Sequence, residues 1–232
     1  MEGFPLKESI YTIPISEIFE PRCGCPLCAL YKNLEERWVD YITGAAMMEP
    51  DIRVETNRCG FCAHHFEMML GMKNRLSVAL ILQTRLEHID KTLEDSLPQK
   101  RGLLRSPTVC GDESCFVCSR INREFGRIGE NIAVFWQREP DFRTLYADQQ
   151  FICYKHFKTL SSAGASALRP KEYTAFLGET ARLTRKKLQP AKKAIDEFCN
   201  LFDYRNANTG QPSPEVSRAI EGTIEYLTGP QN

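Results

Sequence analysis

The tetrapeptide Cys25-Pro-Leu-Cys28 lies near the start of the sequence and returns later as Cys115-Phe-Val-Cys118. Two further motifs repeat in the same order at nearly the same offset, with one residue inserted in the second copy. They are Glu49-Pro-Asp-Ile-Arg53 with Glu139-Pro-Asp-Phe-Arg143, and Cys62-Ala-His-His65 with Cys153-Tyr-Lys-His156. Three matches in one order are hard to obtain by chance, so the sequence predicts a duplicated unit at about 25–70 and 115–161.

Apolar periodicity predicts that the duplicated unit is helical. Pro26 can occupy the first position of a helix, and the apolar residues that follow recur at intervals of three and four. The same pattern predicts C-terminal helices at 171–188, 190–202 and 214–227, with Pro190 starting the second of them. We therefore predict an all-α fold in which two duplicated helical units, each clamped by its Cys and His motifs, are followed by a C-terminal helical segment.

The repeat also predicts the domain organisation. Residues 1–97 form the first helical unit and residues 115–165 the second. Residues 98–114 contain Pro, Gly and Ser and are predicted to be the linker between them. Residues 166–232 supply helices that pack on the two units.

The repeated motifs have the spacing of zinc ligands. Tetrahedral zinc needs four soft or borderline donors, and two residues three apart supply a pair from one turn. Pairing within each copy predicts two Cys3His sites and two Zn²⁺ per chain. The first site comprises Cys25, Cys28, Cys62 and His65, and the second comprises Cys115, Cys118, Cys153 and His156.

The comparison of the two copies ranks the remaining candidate ligands. Cys59 aligns with Gln150 and His64 with Lys155, so neither can serve a role shared by both copies. A four-thiolate set that includes Cys59 remains an alternative for the first copy. The other unmatched cysteines are interpreted as small apolar packing residues; they are Cys23, Cys110 and Cys199.

Composition excludes several functional classes. The chain has 232 residues, with 30 Lys+Arg, 30 Asp+Glu and 10 Cys. A net charge of zero supplies no general field for nucleic acid, so we consider nucleic-acid binding unlikely. There is no membrane-length apolar run and no secretory signal pattern, which predicts a cytoplasmic protein with reduced thiols. Motifs for nucleotide binding or serine hydrolysis are absent from the sequence.

The motifs together resemble a bacterial family of unknown function, numbered six thousand and sixty-two. The resemblance rests on five segments and spans nearly the whole chain. They are Cys25–Cys28, Met48–Asn57, Gly60–His65, Asn74–Leu80 and Asp203–Asn206. It implies a soluble bacterial protein with matching CxxC and CxxH positions and no established activity, and it places Cys59 and His64 where the family pattern is loose.

The leading functional hypothesis is a binding or scaffolding module with two structural zinc sites, acting on an unknown protein or small-molecule partner and not on a membrane. Four protein ligands per site leave no open position for water or substrate. The alternative is a metal- or thiol-dependent enzyme, in which one site is open or redox-active, with catalytic residues unknown. A third hypothesis, zinc-finger-like nucleic-acid binding, lacks basic recognition helices.

Overall fold

The structure, a computed structural model, describes residues 15–22, 24–96, 115–202 and 213–229. These ranges contain α-helices and one 3-10 helix, η1 (Ala45–Met48), and no strand. The α-helices are α1 (Ile15–Phe19), α2 (Pro26–Thr43), α3 (Pro50–Cys59), α4 (Ala63–Gly71), α5 (Arg75–Ser96), α6 (Phe116–Arg138), α7 (Pro140–Ala147), α8 (Tyr154–Ala167), α9 (Pro170–Asn200), α10 (Pro214–Ser217) and α11 (Ala219–Thr228). The all-α prediction is confirmed.

Proline sets the start of several helices. Pro26 begins α2, Pro50 begins α3 and Pro140 begins α7. Proline suits this position because its φ is already helical and because the missing N–H would have no partner inside the helix. The repeated Glu-Pro-Asp motif is therefore a helix start in both copies.

Packing divides the chain into two compact units that do not follow chain order. The first unit combines Met1–Tyr31 with Phe125–Asn232, and the second is Lys32–Glu124. The boundaries thus fall inside α2 and α6, whereas the sequence predicted divisions at 97, 115 and 165. Each of these helices therefore contributes one part of its length to each unit. The predicted linker 98–114 lies outside the described residues.

In the first unit, α8, α9 and α11 pack against one another, and aromatic side chains of α1, α7 and α9 form part of its core. Phe19, Tyr146 and Phe176 are fully buried, and the Tyr146 ring contacts both phenylalanine rings, with centroids 5.5 Å from Phe19 and 5.7 Å from Phe176. The Tyr146 hydroxyl is 2.7 Å from Thr180 Oγ1, and the Tyr226 hydroxyl donates to the Thr184 carbonyl at 3.1 Å. Both phenols therefore have polar partners in the core, as buried hydroxyl groups require.

In the second unit, α3 and α5 pack together, and Arg53 of the Glu-Pro-Asp-x-Arg motif contributes to this contact. Its guanidinium donates to the carbonyl of Met47 at 3.2 Å and to that of Leu80 at 3.0 Å. Asn74 caps α5 by accepting from Ser77 N, and it also donates to the Thr43 carbonyl. These side chains therefore link α5 to η1, α3 and the end of α2 on either side of the CxxH motif.

One helix prediction is wrong. The sequence predicted a break at Pro190, but α9 continues from Pro170 to Asn200 with Pro190 inside it. Proline removes one hydrogen bond to the residue four positions earlier, which is Lys186. Both residues are exposed, so water can satisfy the carbonyl that proline leaves free. Whether the helix continues through Pro190 therefore depends on its exposure to solvent, which the local sequence pattern does not show.

Candidate metal centres

Six cysteines and two histidines lie in two clusters of four. The Cys25 site contains Cys25, Cys28, Cys153 and His156, and the Cys62 site contains Cys62, His65, Cys115 and Cys118. In each site the four donor atoms lie within 4.8 Å of one another. The Cys25 site belongs wholly to the first unit and the Cys62 site wholly to the second. All eight residues singled out in the sequence are thus found in clusters.

The pairing of the half-motifs differs from the prediction. The sequence predicted that each CxxC would join the CxxH of its own copy. The structure instead brings the CxxC of the first copy to the CxxH of the second, and the reverse in the other site. The ligand types of each site are unchanged, but each site now contains residues from both copies.

Helix length explains the exchanged pairing. Each CxxC lies at the start of a long helix, α2 with 18 residues and α6 with 23 residues. At 1.5 Å per residue these helices are about 27 Å and 35 Å long, so the chain leaves them far from the CxxC. The following helices, α3 and α7, have 10 and 8 residues and span only about 15 Å and 12 Å. Even if α3 or α7 ran straight back, it would cover only part of the distance from the end of the long helix to the CxxC of the same copy.

In the Cys25 site, the imidazole of His156 faces the three sulfurs through its Nδ1 atom. This nitrogen is 3.6 Å from Cys25 Sγ, 3.4 Å from Cys28 Sγ and 3.2 Å from Cys153 Sγ. The sulfurs of Cys28 and Cys153 are 3.6 Å apart. Cys25, Cys153 and His156 are buried, whereas Cys28 is partly exposed.

The Cys62 site has the same arrangement around Nδ1 of His65. This nitrogen is 3.0 Å from Cys62 Sγ, 3.2 Å from Cys115 Sγ and 3.6 Å from Cys118 Sγ. The sulfurs of Cys62 and Cys118 are 4.0 Å apart. His65 and Cys115 are buried, and the other two cysteines are partly exposed.

These separations match the edges of a tetrahedral metal site. With metal–sulfur bonds near 2.3 Å and metal–nitrogen bonds near 2.0 Å, a tetrahedron has sulfur–sulfur edges of about 3.8 Å and sulfur–nitrogen edges of about 3.5 Å. The sulfur–sulfur distances of 3.6 Å and 4.0 Å lie on either side of the first value. The donor set therefore fits one tetrahedral ion at each site.

The cysteine thiols of the Cys25 site titrate as an interacting group. Burial raises the pKa of Cys25 to about 12, and contacts with Cys153 and Cys25 raise that of Cys28. Hydrogen bonds from Cys25 and Cys28 hold the pKa of Cys153 below its ordinary value, with a further contribution from His156. One thiolate thus opposes the ionisation of its neighbours, and a divalent cation would remove that opposition.

In the Cys62 site, too, one thiol has a lowered pKa and another has a raised pKa. Burial disfavours the Cys115 thiolate, but the hydrogen bond with His65 is among the contacts that lower its pKa to about 6. Burial and the neighbouring Cys115 raise the pKa of Cys118 to about 12. Although burial opposes its protonation, contacts with Cys115, Glu35 and Cys62 raise the pKa of His65 to about 10.

Helix starts position all four half-motifs. Cys62 and Cys153 are the N-caps of α4 and α8, and Cys25 and Cys115 directly precede α2 and α6. The free amide groups and positive dipole end of a helix start favour thiolates. A backbone bond from Phe116 N to the carbonyl of Gly60, at 2.9 Å, also ties the two halves of the Cys62 site together. Gly60 has φ of 68°, a conformation that favours glycine.

Sequence reasoning missed Glu35, which lies beside the Cys62 site. Its carboxylate is only 4% exposed, and Oε1 lies 3.4 Å from His65 Nε2 and 3.2 Å from His64 Nε2. Burial raises the pKa of Glu35, but the two histidines outweigh this and hold it below its ordinary value. The detectable signal was an acidic residue among the apolar positions of the first predicted helix.

A cavity of about 310 Å³ adjoins the Cys25 site. Its walls include Cys25, Cys28 and Cys153 on one side. Lys187 and Tyr226 bring an ammonium group and an aromatic ring to the same cavity. A molecule in the cavity would therefore be next to three cysteines of this cluster.

Of the remaining candidate cysteines, the two that the structure describes, Cys59 and Cys199, lie outside both clusters. Cys59 is buried at the end of α3, and the alternative four-thiolate set is not assembled. Cys199 is exposed. Cys23 and Cys110, together with the Asp203–Asn206 segment, are outside the described residues.

Comparison with known proteins agrees with the motif-based resemblance. The model of the "Family of unknown function (DUF6062)" matches residues 6–232. The chain belongs to this family. A relative described as "Uncharacterized 23.9 kDa protein in xynA 3'region", from Caldicellulosiruptor sp. (strain Rt8B.4), is 20% identical over 208 residues. That match covers 89% of this chain and 96% of the relative.

No solved structure matches the chain. Among the described residues, no helix combines the length and apolar character needed to cross a membrane. This member of the family thus has two Cys/His clusters that could each hold a metal ion.

Proposed function

We propose that the protein binds one Zn²⁺ in each cluster and acts as a cytoplasmic binding or scaffolding module for an unidentified protein or small-molecule partner. The observation that supports this proposal is that each of the two clusters presents three sulfurs and one imidazole nitrogen within 4.8 Å of one another. Zinc suits this donor set because it accepts tetrahedral sulfur and nitrogen ligands without a redox change. All eight clustered residues, from Cys25 to His156, serve as ligands in this proposal.

A structural role for the metal follows from the number of protein ligands. Four protein donors complete a tetrahedral shell, as in closed structural sites, whereas catalytic zinc keeps a position for water or substrate. Each ion would join the start of one long helix to the start of a helix that is distant in sequence. The metal would then hold each unit together, and the surface of that unit would be available to a partner.

Elemental analysis of the full-length protein, purified anaerobically without added metal, tests this function. We expect close to two zinc ions per chain and no other metal in comparable amount. A folded, monodisperse protein that contains no zinc and takes up none from buffered Zn²⁺ would contradict the proposal.

A second candidate, a metal- or thiol-dependent enzyme, is favoured by the cavity beside the Cys25 site. Cys28 is partly exposed and lines that cavity, so its sulfur could meet a small electrophile or ligand. Cys118 is the matched control, because it is also partly exposed and is the second cysteine of its motif. The enzyme hypothesis predicts that limiting iodoacetamide alkylates Cys28 of the zinc-loaded protein faster than Cys118, as measured by peptide mass spectrometry. Equal, slow labelling of both cysteines would count against it.

A further inference from the structure

The two sites differ in the group that faces the Nε2 atom of the histidine. In the Cys62 site, Nε2 of His65 faces the carboxylate of Glu35 at 3.4 Å, an ion-pair distance. In the Cys25 site, Nε2 of His156 is also buried, and no carboxylate forms an ion pair with it within the described residues. Neither Nε2 atom has a partner at hydrogen-bond geometry in the part of the chain that the structure describes, so the ion-pair approach of Glu35 is what distinguishes the two sites. The repeat aligns Glu35 with Phe125, whose ring stacks on His156 with centroids 5.2 Å apart.

We propose that Glu35 is a positioning residue for the metal ligand His65, a role that the Cys25 site lacks. This inference rests on the proposed function, because it assumes that both clusters bind metal. A neutral imidazole that ligates through Nδ1 carries its proton on Nε2. A carboxylate that accepts this proton fixes the tautomer and the ring orientation and makes the ligating nitrogen more basic.

The position of Glu35 supports this role over a simple surface ion pair. The carboxylate is 4% exposed, so it has lost most of its contact with water and needs partners inside the protein. Its Oε1 atom also faces Nε2 of His64, a partly exposed side chain. His64 thus helps to hold the carboxylate where it meets His65. The second copy has Lys155 in place of His64, and its ammonium lies over the Tyr31 ring instead.

The unequal surroundings allow each chain to serve as its own control. Loss of the Glu35 carboxylate should weaken the Cys62 site and leave the Cys25 site unchanged. Loss of a partner of this kind typically lowers metal affinity by about 10- to 100-fold. We therefore expect E35A to lower the affinity of one binding step by that factor and to leave the other step unchanged, in competition titrations of Zn²⁺ against a chromophoric chelator.

Three variants separate positioning from general loss of structure. E35Q keeps the size of the side chain and an oxygen that can accept from Nε2, so it should recover much of the affinity that E35A loses. K155A alters the position equivalent to His64 and should leave both binding steps unchanged, whereas H64A should weaken only the Cys62 site, by less than E35A does. The helical circular dichroism of each zinc-loaded variant reports whether it has folded.

A spectroscopic readout tests the tautomer directly. The chain has only four histidines, so the ring signals can be assigned in long-range ¹⁵N–¹H spectra. We expect His65 of the zinc-loaded protein to carry its proton on Nε2, and we expect E35A to shift the His65 ring signals while those of His156 stay in place.

The outcomes distinguish failure of this inference from failure of the proposed function. A protein that binds no zinc contradicts both. Two zinc ions bound with unchanged affinities and unchanged His65 signals in E35A would overturn the positioning role alone. Equal weakening of both sites, with E35Q no better than E35A, would also overturn it.

Discussion

At the scale of single residues, Cys28 and Cys59 show that a Cys-x-x-Cys tetrapeptide does not by itself decide whether a cysteine joins a cluster. Each begins or ends a Cys-x-x-Cys tetrapeptide, but only Cys28 lies in a cluster. We predict that C28A lowers the zinc content of the purified protein from two ions to one, because it removes a ligand. C59A should keep two. Elemental analysis of both variants makes the comparison, and loss of zinc in C59A with retention in C28A would contradict the assignment.

The residues of the two clusters could be predicted from the sequence, whereas Glu35 could not. The ligand residues repeat at fixed spacing, and their side-chain chemistry restricts what they can bind. Glu35 has no counterpart in the second copy, where Phe125 stands, so the repeat gave it no support. Its role depends on burial and on two histidine contacts that only the folded chain creates.

At the scale of secondary-structure elements, the packing of α8 on α9 depends on Gly164. A Cβ atom at this position would lie 2.8 Å from Cδ1 of the buried Phe176 ring. We predict that G164A destabilises the zinc-loaded protein by about 1–3 kcal/mol, the usual cost of overpacking a core. Chemical denaturation followed by circular dichroism measures the change.

Gly178 on α9 is the matched control for that substitution. A Cβ atom there would meet nothing within 4 Å. G178A should therefore stabilise the protein by about 0.5–1 kcal/mol, because alanine is a better helix former than glycine. If G164A were as stable as G178A, the close contact between α8 and Phe176 would be excluded.

Helix starts were more predictable than helix continuity. The helix start predicted at Pro26 is confirmed, because the effect of proline at a first position is local. Pro50 and Pro140 also begin helices, α3 and α7, which the sequence analysis did not predict. Pro190 also resembles a start in the sequence, but it lies within α9. The difference depends on solvent access to the carbonyl four residues earlier, which is a property of the packed protein.

At the scale of the whole molecule, the two metal ions would close large loops of the chain. The Cys25 site joins the start of α2 to the start of α8, and the Cys62 site joins α4 to the start of α6. Such links restrict the unfolded chain most when the loop is long. We predict that removal of zinc with a chelator lowers the melting temperature by more than about 5 °C, and that added Zn²⁺ restores it.

Thermal unfolding followed by circular dichroism checks this prediction. Zinc-saturated chelator serves as the control, because it has a similar ionic strength and no free capacity for zinc. A melting curve that is identical with and without bound zinc would show that the ions do not stabilise the fold.

The pairing of the half-motifs was the feature of the whole molecule that the sequence did not reveal. Internal repeats show which residues are equivalent, but they do not show whether each copy closes on itself or on the other copy. The lengths of α2 and α3 decide between these possibilities, and the sequence pattern alone did not fix how the helices would place the motifs in space.

Zinc content of two double variants tests the exchanged pairing most directly. C28A/C153A removes two ligands from the Cys25 site, so we predict that it retains one zinc ion per chain. C28A/C62A removes one ligand from each site, so it should retain none. Elemental analysis showing the reverse, with one ion in C28A/C62A and none in C28A/C153A, would contradict the pairing and support a site within each copy.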